Sequence, residues 1–384
     1  MTTGAPDVSV MLNYLIAMKQ RQASDLYLTV GRSPTLRVED KMVPAADDVL
    51  DVHDIENILT AILTSRQRRE FDGAMELNTA LDMGEHGRFR VNVLKQRQVP
   101  ALVIRRITSE IPSFEELHLP QVLEKLALEK RGLVLVTGIT GSGKSTTLAL
   151  MVDHRNASSE GHIITIEDPI EYFHDHKKSV ITQREVGVDT ESYAVAMKNA
   201  LRQRPDVILV GEIRDQEVMD QALTITETGH LCLATIHTNN AYQAIERIVN
   251  FFPEELAKQV RLNLAMNLKA IISQRLVPGV SEELVPAVEI MLNQGLVREL
   301  ILKGEITKIK DVMEQNNSLG MCTFDQSLLK LFEEKLISEE TAMTNSDRPS
   351  DLKLRIQQIK LSGPGGGHNS GLGKVDISRI SLGD

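Results

Sequence analysis

The chain has 384 residues, more than one hydrophobic core usually carries, since single cores stop growing near ~250–300 residues. Its 42% hydrophobic and 25% charged residues are ordinary for a globular protein, but 43 Lys and Arg against 53 Asp and Glu leave a net charge of −10. That balance argues against nucleic acid as a main partner, and 3% aromatics with no tryptophan removes a base-stacking platform. The two cysteines, Cys232 and Cys322, exclude a disulfide framework or a four-cysteine zinc site and suit a reducing compartment such as the cytoplasm.

Near the start, residues 8–18 form an apolar stretch that is too short to span a bilayer and lacks a signal peptide's basic leader. Val8, Met11, Leu12, Leu15 and Ile16 keep helical spacing instead. No other run approaches membrane length, so no direct membrane insertion is expected. Residues 24–28 and 34–38 read as short strands around a Gly-Arg-Ser-Pro turn. Asp51 is placed to cap a helix whose apolar face is Ile55, Ile58, Leu59, Ile62 and Leu63. Strand-like segments follow at 76–83, 88–94 and 101–107. Helices mixed with antiparallel strands predict an α+β domain over residues 1–107, then a linker at 108–113.

From residue 114 the pattern changes. A helix carrying Val122, Leu123 and Leu126 leads to four apolar runs, 133–137, 163–166, 207–210 and 231–236, that suit buried parallel strands. Helical segments at 193–202 and 216–228 can cross between them, predicting an α/β domain over 114–361. Residues 280–361 read as largely helical, with no comparable strand series. Positions 362–384 are expected to be a flexible tail, because 363–373 are glycine-rich. Beyond the glycines, Val375, Ile377, Ile380 and Leu382 form a small apolar set that suits a short docking element; an inert tail is equally open.

Gly138-Ile139-Thr140-Gly141-Ser142-Gly143-Lys144-Ser145, followed by Thr146, matches G-x-x-x-x-G-K-[ST] between an apolar strand and a helix-compatible run. Glycines let such a loop turn its N–H groups onto phosphate oxygens, at the favourable end of a helix dipole. Lys144 can meet the β/γ-phosphates of ATP, and Ser145 can ligate Mg²⁺. Three carboxylates, Glu167, Asp168 and Glu171, follow the second strand, where one of them can activate water. Glu212 follows the third strand after Gly211 and is placed to hold Mg²⁺ through water. His237 ends the fourth strand and suits a γ-phosphate sensor, while His230 lies at that strand's opposite end.

These motifs resemble the secretion ATPase superfamily of type II secretion and type IV pili. GITGSGKSTT is similar to its Walker A, ITIEDPIEY to its Asp box, RPDVILVGEIRD to its Walker B and TGHLCLATIHT to its His box. The resemblance runs from about SDLYLTVGRSP to about residue 345. It implies a PAS-like N-terminal domain, a RecA-like P-loop ATPase domain with a helical C-terminal part, and a homo-oligomeric ring, a hexamer. It makes Glu171 the general base, Glu212 the Walker B glutamate, and His230 and His237 the His-box pair. It also brings N-terminal arginines to the nucleotide, which here implies Arg88 and Arg90 of GRFRVN and Arg105 on a companion strand. An exposed strand face is the plainer reading of those arginines from sequence.

Within the superfamily, the absence of a tetracysteine element and a single domain ahead of the ATPase favour the PilT/PilU retraction branch over extension or secretion. Residues 296–303, LVRELILK, stand where retraction motors carry AIRNLIRE, which points to a subunit that assists retraction. The implied partners are an inner-membrane pilus platform protein and a paralogous retraction ATPase, with the chain peripheral to the membrane. Two other functions fit a P-loop: a nucleotide-binding regulatory subunit docking on a paralogous motor, and a RecA-like nucleic-acid translocase.

Overall fold

The computed structural model describes residues 9–39, 41–107, 110–281 and 283–362. The N-terminal part is a six-stranded antiparallel sheet, β1 (Asp25–Thr29), β2 (Thr35–Val38), β3 (Lys41–Pro44), β4 (Glu76–Asp82), β5 (Arg88–Gln96) and β6 (Val99–Ile107). The spatial order is β3-β2-β1-β6-β5-β4. Along β5, Phe89, Val91 and Val93 are fully buried, which turns Arg88 and Arg90 to the opposite face. Helix Ser9–Gln20 buries Met11, Leu15 and Met18 against this sheet, beside Ile55, Ile58 and Leu59 of helix Val52–Ile62. Asp51 caps the second helix in a full capping box, accepting the Asp54 N–H while Asp54 accepts its own. β3 and helix Ser65–Ala74 were not among the expected elements; the helix has Phe71 as its single buried anchor.

The second sheet has seven strands, β7 (Gly132–Thr137), β8 (Gly161–Glu167), β9 (Ser179–Glu185), β10 (Val207–Val210), β11 (Leu231–Ile236), β12 (Leu268–Pro278) and β13 (Leu284–Leu292). Their order is β13-β12-β7-β11-β10-β8-β9, all parallel except β13. The four expected strands are β7, β8, β10 and β11. Every residue of β7, β10 and β11 is buried, which is why they read as unbroken apolar runs. Because β8 follows β7 in sequence but lies three places away, the chain crosses the sheet and leaves a crevice at the strands' C-terminal ends.

Residues 280–361 differ from the expectation of helices alone. β13 lies within them and pairs antiparallel with β12 from Ala270↔Leu292 to Pro278↔Leu284. Both strands are apolar and buried along most of their length, so their sequences show no two-residue alternation to tell a strand from a buried helix. The helices that follow, Phe324–Glu333, Glu339–Asn345 and Pro349–Ser362, close over them through Phe324, Leu328, Ala342, Leu352 and Ile356. Ser362 ends the last of these helices, and the rest of the expected tail, 363–384, lies outside the described residues. The whole is the mixed fold expected, an N-terminal α+β part ahead of a RecA-like α/β part. Among the described residues no helix is long and apolar enough to cross a membrane.

Candidate nucleotide site

β7 runs straight into the glycine loop, and helix Lys144–Ser158 starts directly after it with Gly143 as its cap residue. Gly138 has φ 155°, and a Cβ there would stand 2.3 Å from Ser142 Oγ and 2.5 Å from the Gln274 carbonyl oxygen. Gly143 has φ 84°, with Gln274 Nε2 2.8 Å from where its Cβ would be. Side chains are excluded on both counts, conformation and space. Gln274, on β12, thus underlies the loop, and its Oε1 also accepts the Thr147 hydroxyl at 2.7 Å. No motif pointed to it.

Lys144 is 8% exposed and donates to the Gly138 and Ile139 carbonyl oxygens at 2.9 and 2.8 Å. Burial lowers its pKa, with Glu212 and Glu171 acting against that. Those carbonyls carry no counter-charge, so the ammonium is poised for an anion within the loop. Ser142 Oγ is buried with no hydrogen-bond partner, a second group left open at the same place.

A cleft of about 250 Å³ opens beside the loop, lined by Thr140, Gly141, Lys144 and Ser145, by Glu167, Asp168 and Glu171, and by Glu212 and His237. The ends of β8, β10 and β11 reach it, and so does the glycine loop that follows β7. Gly138 and Ile139 instead edge a larger neighbouring hollow of about 800 Å³, together with His237 and Arg247. Thr146 turns its hydroxyl to the Tyr172 hydroxyl at 2.8 Å, joining the start of the helix to the carboxylate loop.

The three carboxylates of that loop have different surroundings. Burial pushes Glu167 up to about 7, against hydrogen bonds from Thr165 and Gln183. Asp168 meets Arg214 Nη1 at 3.5 Å, while Arg214 Nε donates to Glu212 at 2.8 Å. Glu212 in turn lies 3.1 Å from His237 Nε2. Burial and the Lys144 ammonium lower the His237 pKa, so the ring is neutral near pH 7. Two other groups reach the cleft unannounced by any motif. Tyr193 has its phenol pushed upward by burial, and His174 is pushed down to about 4, also by burial.

Four sequence candidates stand elsewhere. His230 bonds through Nδ1 to the Thr228 hydroxyl and the Ile225 carbonyl at the far end of β11. Arg105 holds buried Asp25 at 2.8 Å, and Arg90 is its cross-strand partner between β5 and β6. Arg88 lies over the Phe173 ring, 4.4 Å from its centroid, so of the three arginines it touches the carboxylate loop without lining the cleft.

The donor set suits a hard cation sharing ligands with a phosphate: a serine hydroxyl and a carboxylate, Ser145 and Glu212, in one cleft. Among the described residues no group of three or more His, Cys, Asp or Glu forms a cation site on its own.

The Type II/IV secretion system protein family model matches residues 51–324. The chain is 47% identical to the type IV pilus ATPase PilU of Pseudomonas aeruginosa over 343 residues, 88% of this chain and 89% of that one. It is 39% identical to the same organism's type IV pilus retraction ATPase PilT, over 88% and 98% of the two chains. A solved structure of the pilus retraction motor PilT with bound ADP superposes with a TM-score of 0.84 at 40% identity, covering 90% of this chain and 99% of that one. With a family model spanning well over half of its length and relatives matching nearly end to end, the chain belongs to the type II/IV secretion system protein family.

Proposed function

We propose that the chain is an ATP-hydrolysing motor subunit that drives or assists type IV pilus retraction. The observation that carries this is the meeting of the glycine loop, Glu171, Glu212 and His237 in one cleft. The relatives named as pilus ATPases, and the ADP in the PilT structure, support it.

The loop's N–H groups and the helix dipole receive the phosphates, and Lys144 exchanges its two carbonyl partners for their oxygens. Ser145 and Glu212 would hold Mg²⁺, which when bound offsets phosphate charge. Glu171 accepts the proton of the attacking water. His237, neutral and 3.1 Å from Glu212, reports on the terminal phosphate through that carboxylate. Hydrolysis removes the contacts that order these strand ends and so shifts the two sheets relative to one another.

The working form is a homo-oligomer, a hexamer. It sits in the cytoplasm, peripheral to the inner membrane through a pilus platform protein and a paralogous retraction ATPase. Imaging labelled pili in cells lacking the gene, its nearest paralogue, or both tests the role. Retraction should slow or fail without this chain and return with the wild-type gene but not with Lys144→Ala. Unchanged retraction in all three strains would overturn the assignment.

A further inference from the structure

Two contacts bracket Glu171. One residue before it, the Ile170 N–H donates to the Glu185 carboxylate at 3.2 Å. Two residues after it, the Phe173 ring lies under the Arg88 guanidinium of the other sheet. Glu185 ends β9 and is 6% exposed. Its N–H donates to the Asp189 carboxylate at 2.8 Å, and its carbonyl accepts from Val188, Asp189 and Thr190, so its backbone is held from both sides.

A carboxylate buried this way is costly unless cations or N–H donors oppose it. Burial raises the Glu185 pKa, with Asp189 adding to that, while the Ile170 N–H and the Arg88 and Arg90 charges act against it. Arg88 Nε is itself buried with no hydrogen-bond partner. The N-terminal sheet thus places Arg88 on Phe173, on one side of Glu171, while the Glu185 side chain holds Ile170 on the other.

We propose that Glu185 is a positioning residue that aims Glu171 by fixing Ile170, while Arg88 of the N-terminal sheet clamps Phe173 on the loop's other side. The inference rests on the reading of Glu171 as the base. When the N-terminal sheet is docked, Arg88 clamps Phe173 and opposes the Glu185 charge, and Glu185 fixes Ile170. When that sheet moves away, the buried carboxylate loses its cations and the loop loses its second clamp. Turnover is thereby tied to the relative position of the sheets. The glycine loop takes no part, so nucleotide affinity is separate.

The test compares the full wild-type chain with Glu185→Ala, Glu185→Gln, Arg88→Ala and the double Glu185→Ala/Arg88→Ala variant. It reads kcat and KM for ATP, affinity for a fluorescent ATP analogue, and thermal melting. Glu185→Ala should lower kcat by about 10- to 100-fold, with KM and analogue affinity changed by less than about twofold. Glu185→Gln, which keeps an acceptor for the Ile170 N–H, should recover part of that loss. The double variant should be no worse than the worse single one. Additive losses, or lower melting with kcat unchanged, would overturn the proposal. Should Glu185→Ala not fold, Glu185→Gln and Arg88→Ala carry the test through the same split between kcat and KM. If Glu171→Gln turns over like wild type, the reading of the base fails, and that outcome is distinct from an active, Glu171-dependent enzyme indifferent to Glu185.

Discussion

His237 Nε2 lies 3.1 Å from Glu212 Oε1, joining the ends of two adjacent parallel strands across the cleft. With the ring neutral, the contact is a close polar approach and not an ion pair. His237→Ala removes this contact and should lower kcat by about 10- to 100-fold. His237→Gln, which keeps a polar group there, should retain more turnover than His237→Ala. Steady-state phosphate release checks this, and equal activity in the two variants would sever the link.

His174 and Glu167 give the stability of the free chain opposite pH dependences. Burial holds His174 near 4 against an ordinary 6.5, so between these values the unfolded chain binds a proton that the folded chain refuses. Stability from this group is therefore lost as pH falls from 6.5 to 4. Glu167 is held near 7 against 4.5, so the folded chain keeps the extra proton, and its contribution is lost as pH rises through 7. Urea unfolding without nucleotide separates them. Glu167→Gln should gain about 1–3 kcal/mol relative to wild type between pH 5 and pH 8. His174→Gln should gain a similar amount, about 1–3 kcal/mol, between pH 7 and pH 4. Parallel wild-type and variant profiles would contradict both.

Gln274 joins β12 to the first turn of the helix after the nucleotide loop through the buried Thr147 hydroxyl. Gln274→Leu leaves that hydroxyl without its acceptor and should cost about 1–3 kcal/mol of stability. Adding Thr147→Val should restore part of it, because the unpaired group goes too. Thermal melting of the single and double variants reads this directly, and simple additivity would count against it.

Arg88 touches the carboxylate loop of its own chain. Mixing Arg88→Ala subunits with Glu171→Gln subunits should therefore restore no turnover, since no chain then carries both groups. Recovery in the mixture would place Arg88 at a neighbouring subunit's nucleotide.

The chemistry at the four parallel strand ends was legible because each strand is wholly or largely buried and its functional residue follows closely. Gly138, Glu212 and His237 lie within two positions of a strand's last residue, and Glu171 lies four beyond β8 in the acidic loop that β8 opens. β9 was not legible. SVITQRE is a polar edge strand and Glu185 belongs to no motif, yet the fold buries it. β12 and β13 were missed for the opposite reason, being buried for most of their length. Gln274, His174 and Tyr193 belong to no motif and reach the site through tertiary packing alone. Arg88 could be read as an arginine on an exposed strand face; its stacking on Phe173 depends on how the two sheets meet.

The central claim, ATP hydrolysis with Glu171 as the base and Lys144 as the phosphate anchor, is tested most directly by phosphate release from the purified chain. Wild type should turn over ATP in the presence of Mg²⁺. Glu171→Gln should bind a fluorescent ATP analogue like wild type but release about 10²- to 10⁴-fold less phosphate. Lys144→Ala should lose analogue binding as well. Equal phosphate release from wild type and Glu171→Gln would contradict the account.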